Sequence, residues 1–150
     1  MRWIAHRGNT HGVKKDRENH PDYIMDACKM DFECEVDVWF QDGTWYLGHD
    51  EPQHGVSLDF LYNPMLWLHC KNVDALVRLA HMRNMNTFWH QEDHYTLTSH
   101  GWVWCYPGKT VPLSFKTICV MPEIYNTDWT QFGGICSDYV GLHRDQAGTL

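Results

Sequence analysis

The sequence predicts a single α/β domain over residues 1–150, with mainly parallel strands and few helices. Short β-rich runs recur along the chain. Helical spacing appears between the first two runs and again in the middle, supplying the crossovers that parallel pairing requires. Eight β/α units take about 250 residues, so a chain of 150 suggests a barrel pared to strands and minimal connections, or an incomplete one. Hydrophobic residues make up 43%, with 8 Trp, 7 Tyr and 6 Phe. That is enough to bury one core, and it argues against disorder.

The expected strands are residues 3–6, 34–40, 44–48, 66–70, 87–90, 102–106, 117–121 and 134–137, each a short run rich in β-branched or aromatic residues. Between the first two, residues 21–30 have helical spacing through Tyr23, Ile24, Ala27, Cys28 and Met30, and Pro21 suits a helix start. A second helix is expected over 73–83, with Val73, Leu76, Val77 and Ala80 on its apolar face and Arg78, His81 and Arg83 toward solvent. Residues 58–62, stopped by Pro64, and 128–132 read as helical turns. Asp42-Gly43 and Pro107-Gly108 read as tight turns, the first closing a hairpin. No repeat, low-complexity tract or linker divides the chain.

Lys and Arg total 12 against 19 Asp and Glu, a formal charge of −7, which repels a polyphosphate and argues against nucleic-acid binding. No apolar run reaches the roughly 20 residues needed to span a bilayer, and the N-terminus lacks the apolar core of a signal peptide. The expectation is a cytoplasmic protein without stable membrane insertion. Its six cysteines are scattered with no CxxC pair, which fits reduced thiols better than disulfides or a zinc knuckle. The aromatic content is compatible with a homo-oligomer without requiring one.

Three short motifs carry chemistry. His6-Arg7-Gly8 follows the first strand, placing the imidazole and guanidinium at its C-terminal end, where parallel α/β folds bind ligands. Glu35-Val36-Asp37 puts two carboxylates on one face of a strand while Cys34, Val36 and Val38 face the other way. Two acids on a buried face need a cation or a proton between them, and hard oxygen ligands suit Mg²⁺ or Ca²⁺. His49-Asp50 ends the hairpin strand, and two histidines near one cation can serve as general acid and base.

In order along the chain, His6-Arg7-Gly8, Glu18-Asn19, Glu35-x-Asp37-Val38, Asp42-Gly43 and His49-Asp50 resemble the glycerophosphodiester phosphodiesterase family, within the phospholipase C-like phosphodiesterase superfamily. Further on, Leu66-x-x-His69-Cys70-Lys71, Gly101-Trp102-Val103-Trp104 and Gly134-Ile135-Cys136-Ser137-Asp138 resemble its later strands more loosely. The resemblance implies a compact or trimmed TIM-barrel-like phosphodiesterase. One divalent cation, Mg²⁺ or Ca²⁺, would be held by Glu35 and Asp37. His6 and His49 would form the acid–base pair, with Arg7, Lys71 and Asn19 on the substrate and Glu18 in or just behind the metal and substrate shell. Its substrate would be a small phosphodiester, such as a glycerophosphodiester or sugar-phosphate diester. The chain departs from the family at His69, where a third carboxylate ligand is usual. An imidazole there shifts preference toward Mn²⁺. Glu92 and Glu123 are other candidates for the missing acid, and Glu123 and His90 are kept as further members of the shell. The competing expectation is an inactive relative that binds a phosphate or sugar phosphate without cleaving it.

Overall fold

The computed structural model describes residues 1–111 and 114–149. Its strands are β1 (Arg2–His6), β2 (Glu33–Gln41), β3 (Thr44–Leu47), β4 (His54–Val56), β5 (Leu66–Cys70), β6 (Asn86–Trp89), β7 (Tyr95–Leu97), β8 (Val103–Cys105), β9 (Ser114–Val120) and β10 (Phe132–Ser137). The helices are α1 (Pro21–Lys29), α2 (Leu58–Leu61), α3 (Val73–Leu79), α4 (Pro122–Tyr125) and α5 (Val140–Ala147). The architecture is α/β: one curled, mixed sheet and few helices. Among the described residues no helix is long and apolar enough to cross a membrane.

Parallel pairing runs β6-β5-β2-β1-β10-β9-β8 through six ladders. Three antiparallel ladders join β2 to β3, β3 to β4 and β7 to β8, so the sheet is mixed where mainly parallel strands were expected. The antiparallel pieces arise where a short turn or loop replaces a helical crossover. Between β2 and β3, Asp42 at φ 50° and Gly43 at φ 78° reverse the chain in two left-handed residues. The sheet curls until its far strands meet near β6, where Ser99 N–H donates to the Thr87 carbonyl at 2.8 Å and Thr96 Oγ1 to that of Trp89 at 2.8 Å.

Side-chain alternation divides the apolar residues into two clusters. Ile4, Trp67, Phe88, Trp104, Ile118, Val120 and Cys136 form one cluster from strand residues alone. Ala5, Cys34, Val36, Val38, Leu66 and Leu68 pack in the other with Ile24 and Ala27 of α1 and Ala75 and Leu79 of α3. All six cysteines are free and buried.

The helix over 73–83 ends early, and its face differs from that expected. Asn72 caps α3 by accepting from Ala75 N–H at 3.1 Å, and Ala75 and Leu79 turn inward while Val73 and Val77 stay exposed. The helical turn expected at 128–132 does not form. Asp128 Oδ1 accepts from both Thr130 N–H and Thr130 Oγ1, a local alternative to helical bonding, and Phe132 already belongs to β10. The short strands β4 and β7 and the helices α4 and α5 lack a strong period in the sequence.

Candidate functional site

The C-terminal ends of β1, β2 and β5 lie side by side, and their register carries the polar residues. His6 pairs with Glu35 across β1 and β2, and Asp37 with His69 across β2 and β5. Arg7, just past β1, turns with φ 53°, and its N–H donates to the Glu35 carbonyl at 3.0 Å. Gly8 follows at φ 90°, and any side chain there would run into the Tyr23 ring. These strand ends open onto a cavity of about 420 Å³ lined in part by His6, Arg7, Glu35, His49, His69 and Lys71.

Glu35 and Asp37 are buried, at 2% and 0% exposed, so the exposed acidic edge that a strand of this pattern could form is absent. Donor atoms of Glu35, Asp37 and His69 all lie within 4.8 Å of one another. His69 Nδ1 stands 3.4 Å from Glu35 Oε1 and 3.2 Å from Asp37 Oδ1. Its other nitrogen, Nε2, donates to the His90 carbonyl at 3.0 Å. Because a carbonyl only accepts, Nε2 keeps its proton and Nδ1 is left to carry either a second proton or a metal. Lys71 Nζ is 3.7 Å from Asp37 Oδ1, and Arg7 Nε is 3.0 Å from Asp37 Oδ2.

Burial and neighbouring charge pull in opposite directions at both groups. Burial works against ionisation of Asp37, yet His69, Arg7 and Lys71 hold its carboxyl far below the usual carboxylate range. Burial also disfavours charge on His69, but Asp37 and Glu35 outweigh it and lift its pKa from 6.5 to about 9. Without a metal, an imidazolium therefore occupies the gap between the two acids. The donor set also fits a divalent cation. Glu35 Oε2 and Asp37 Oδ1 are buried without a well-formed hydrogen bond, and two carboxylates with one imidazole nitrogen suit Mn²⁺ or a similar ion better than Ca²⁺.

His6 Nδ1 donates to Asp138 Oδ1 at 2.8 Å, which leaves Nε2 as the free nitrogen, 3.9 Å from Glu35 Oε2. Burial opposes its charged form, but the Asp138 bond and the Glu35 charge together raise its pKa. Asn9 Nδ2 also donates to Asp138 Oδ1, at 2.8 Å, and to Glu18 Oε1 at 2.9 Å. Glu18 in turn accepts from Arg7 Nη1 at 3.2 Å. A closed chain of bonds thus holds His6 and Arg7 in place.

Of the expected residues, His6, Arg7, Glu35, His69 and Lys71 converge on the cavity, with Asp37 buried immediately behind them. Glu18 stands behind Arg7. Asn19 does not line that cavity. It is 1% exposed, and its amide is spent on Asp37, donating to Oδ2 at 2.8 Å and accepting the Asp37 N–H at 3.0 Å. His49 lines the cavity but is half-exposed, with Nδ1 2.7 Å from Asp50 Oδ1. Glu123 does not join the acids of β2. Its carboxylate accepts from Ser137 Oγ at 2.9 and 3.0 Å and from Asp138 N–H at 3.1 Å, so it fixes the end of β10. His90 contributes its carbonyl to His69 and its ring to the cavity wall. Glu92 is exposed and lies outside the lining.

Sequence reasoning gave no role to Asp138 and Asn9, the two residues that orient His6. The available signal was an acid just beyond the last strand, since β10 pairs with β1. In comparisons with known proteins, no family model, no curated protein and no solved structure matches the chain.

Proposed function

We propose that the protein is a metal-dependent phosphodiesterase of the glycerophosphodiester phosphodiesterase type, on a trimmed TIM-barrel-like fold, cleaving a small phosphodiester. The observation that carries this reading is the convergence of Glu35, Asp37 and His69 within 4.8 Å beside His6, Arg7 and Lys71 in one cavity. Glu35, Asp37 and His69 would hold the cation, which when bound neutralises a nonbridging phosphate oxygen.

The chain's own residues supply the rest. Arg7 and Lys71 bind the phosphate and place it against the strand ends. His6 has its Nδ1 committed to Asp138, whose carboxylate favours the imidazolium, and in this reading it acts as general acid. Its Nε2 proton passes to the leaving alkoxide as the P–O bond breaks. His49 accepts the proton of the nucleophile, either water or a neighbouring hydroxyl of the substrate. Attack by that hydroxyl gives a cyclic phosphate, which water opens afterwards.

The reading is tested with chelator-stripped protein assayed on glycerophosphodiesters and bis-(p-nitrophenyl) phosphate, adding back Mg²⁺, Ca²⁺, Mn²⁺ and Zn²⁺ singly, with His6→Ala as the contaminant control. Metal-restored turnover that disappears in the variant supports it. No turnover with any cation overturns it in favour of a second reading, a binding module that holds a phosphate or sugar phosphate. The observation favouring that alternative is the His69 ring itself, which as an imidazolium lies between Glu35 and Asp37 and offsets their charge without a metal.

A further inference from the structure

The cavity has two unlike halves. His6, Arg7, Glu35, His69 and Lys71 make one polar, while Trp89, Trp104, Tyr106, Pro107, Val120 and Met121 dominate the other, with His90 and Gln91 at its edge. The aromatic half is continuous with the polar one. The His69 ring stacks on Phe88 at 5.0 Å with an interplanar angle of 11°, and Phe88 lies 4.8 Å from Trp104. At the mouth, His90 and Tyr106 are 5.6 Å apart. An ester arm leaving a phosphate at Arg7 and Lys71 toward this side would run past Trp89 and Tyr106.

We infer that this half binds a compact, uncharged aromatic alcohol, so that the preferred substrate is a phosphate ester with an arylmethyl-like arm. The inference rests on the phosphate reading above and adds the identity of one arm. A quaternary ammonium arm is also attracted to ring faces, but Glu35 is the sole carboxylate residue among those lining the cavity. It is buried beside His6 and His69, so a cationic arm finds Arg7 and Lys71 nearby and no free anion. A polyol arm would find His90, Gln91 and the Tyr106 hydroxyl for some of its hydrogen bonds, but its remaining hydroxyls would lie against Trp89, Val120 and Met121, losing hydrogen bonds to water. The polar alcohol of a diester has a separate place. A second cavity, of about 340 Å³, shares Arg7 and His49 with the first and is lined by Lys15, Glu18, Asn19 and Asp50. The phosphate at Arg7 thus sits where the two cavities meet, with one polar and one aromatic side.

Calorimetric titration of the Mn²⁺-loaded protein with benzyl phosphate, glycerol 3-phosphate, phosphocholine and inorganic phosphate tests this without requiring turnover. Benzyl phosphate is expected to bind about tenfold more tightly than glycerol 3-phosphate, the scale of one or two good ring contacts. Trp104 is embedded at 4% exposed, so the informative variant is Tyr106→Ala, at a residue 44% exposed, with Trp89→Leu as the second. Each should weaken benzyl phosphate several-fold and leave inorganic phosphate unchanged. Equal affinity for benzyl and glycerol phosphates, tightest binding of phosphocholine, or equal weakening of all four ligands in both variants would overturn the inference while leaving the phosphate site standing. Failure of every phosphate ligand to bind would instead overturn the phosphate reading, and the inference with it.

Discussion

The two walls of the cavity are stabilised in different ways. On the wall made by the ends of β1, β2 and β5, His6, Arg7, Asp37 and His69 each pair with at least two other polar groups. On the wall made by β6, β8, β9 and the residues just after them, Trp89, Trp104, Tyr106 and Val120 meet the cavity through packing. The first wall fixes positions and charges, which chemistry needs to within fractions of an ångström. The second offers shape and apolar area, which tolerate variation and govern which ligand is accepted. A substitution in the polar wall should therefore change whether the protein works, and one in the aromatic wall should change what it works on.

The largest effect expected is in the polar wall. In the proposed hydrolase, His6→Ala removes the proton donor and should lower kcat by about 10³-fold. Glu35→Ala should abolish both activity and its response to added metal. Circular dichroism and thermal melting would confirm that each variant remains folded. Substantial turnover in His6→Ala would sink its assignment as general acid and leave the polar wall a binding surface only.

The next effect is on stability and comes from His69. Its pKa is 6.5 when unfolded and about 9 in the folded protein. The group therefore contributes fully below about pH 6.5, and the contribution is lost as pH rises through about 9. A shift of this size corresponds to something on the order of 3 kcal/mol. Urea unfolding of metal-free protein should show stability falling between about pH 6.5 and 8.5, below the range in which the buried cysteines, whose thiols burial pushes up, add a slope of their own. Across that range His69→Gln should lose most of the slope. Saturating Mn²⁺ should stabilise the protein more as pH rises, because ligation needs Nδ1 free of its proton. An unchanged slope in His69→Gln would show that the imidazolium does not hold the two acids together.

The same contrast explains how much was legible in the sequence. The pair Glu35 and Asp37 could be placed on one face because strand alternation is local, and His6 could be placed at a strand end for the same reason. Burial of the pair required a covering layer that no local pattern reveals. Asp138 meets His6 across 132 positions of sequence, so its role depends on β10 closing against β1. Asn19 and Glu123 show the opposite failure. Both carry chemistry-bearing side chains close to the site, and both spend them on backbone and neighbouring groups. The apolar face of α3 was misread because Asn72 sets the phase of the helix, and the cap overrides the spacing of Val73 and Val77. The tryptophans are plain in the sequence, but which rings meet the cavity depends on the curl of the sheet.

A smaller effect should follow from loosening the polar wall without removing a reacting group. Asp138→Asn keeps the size of the side chain and removes the charge that favours the His6 imidazolium. With His6 as general acid, activity falls as pH rises through its pKa. The variant should therefore move that alkaline limb to lower pH and reduce kcat by about tenfold. A purely structural role for Asp138 would lower activity equally at all pH values, so the position of the limb, read from the pH profile of kcat, separates the two.

The smallest effect on turnover should come from Asn72, which supports both walls and touches neither ligand nor reacting group. Its side chain caps α3 and bridges to β2, donating to the Phe40 carbonyl at 2.8 Å and accepting the Phe40 N–H at 3.2 Å. Past Val38, where β5 stops pairing with β2, these bonds continue the edge of the sheet in place of a strand. Asn72→Ala loses the cap and leaves the Phe40 groups to water, at a cost of about 1 to 2 kcal/mol. Urea unfolding should register that loss while kcat stays within about twofold, since a stability change of this size leaves most molecules folded. A large fall in kcat at unchanged stability would mean that the end of β2 moves with Asn72. The polar wall would then owe its geometry to the outer edge of the sheet as well as to its own network of charges.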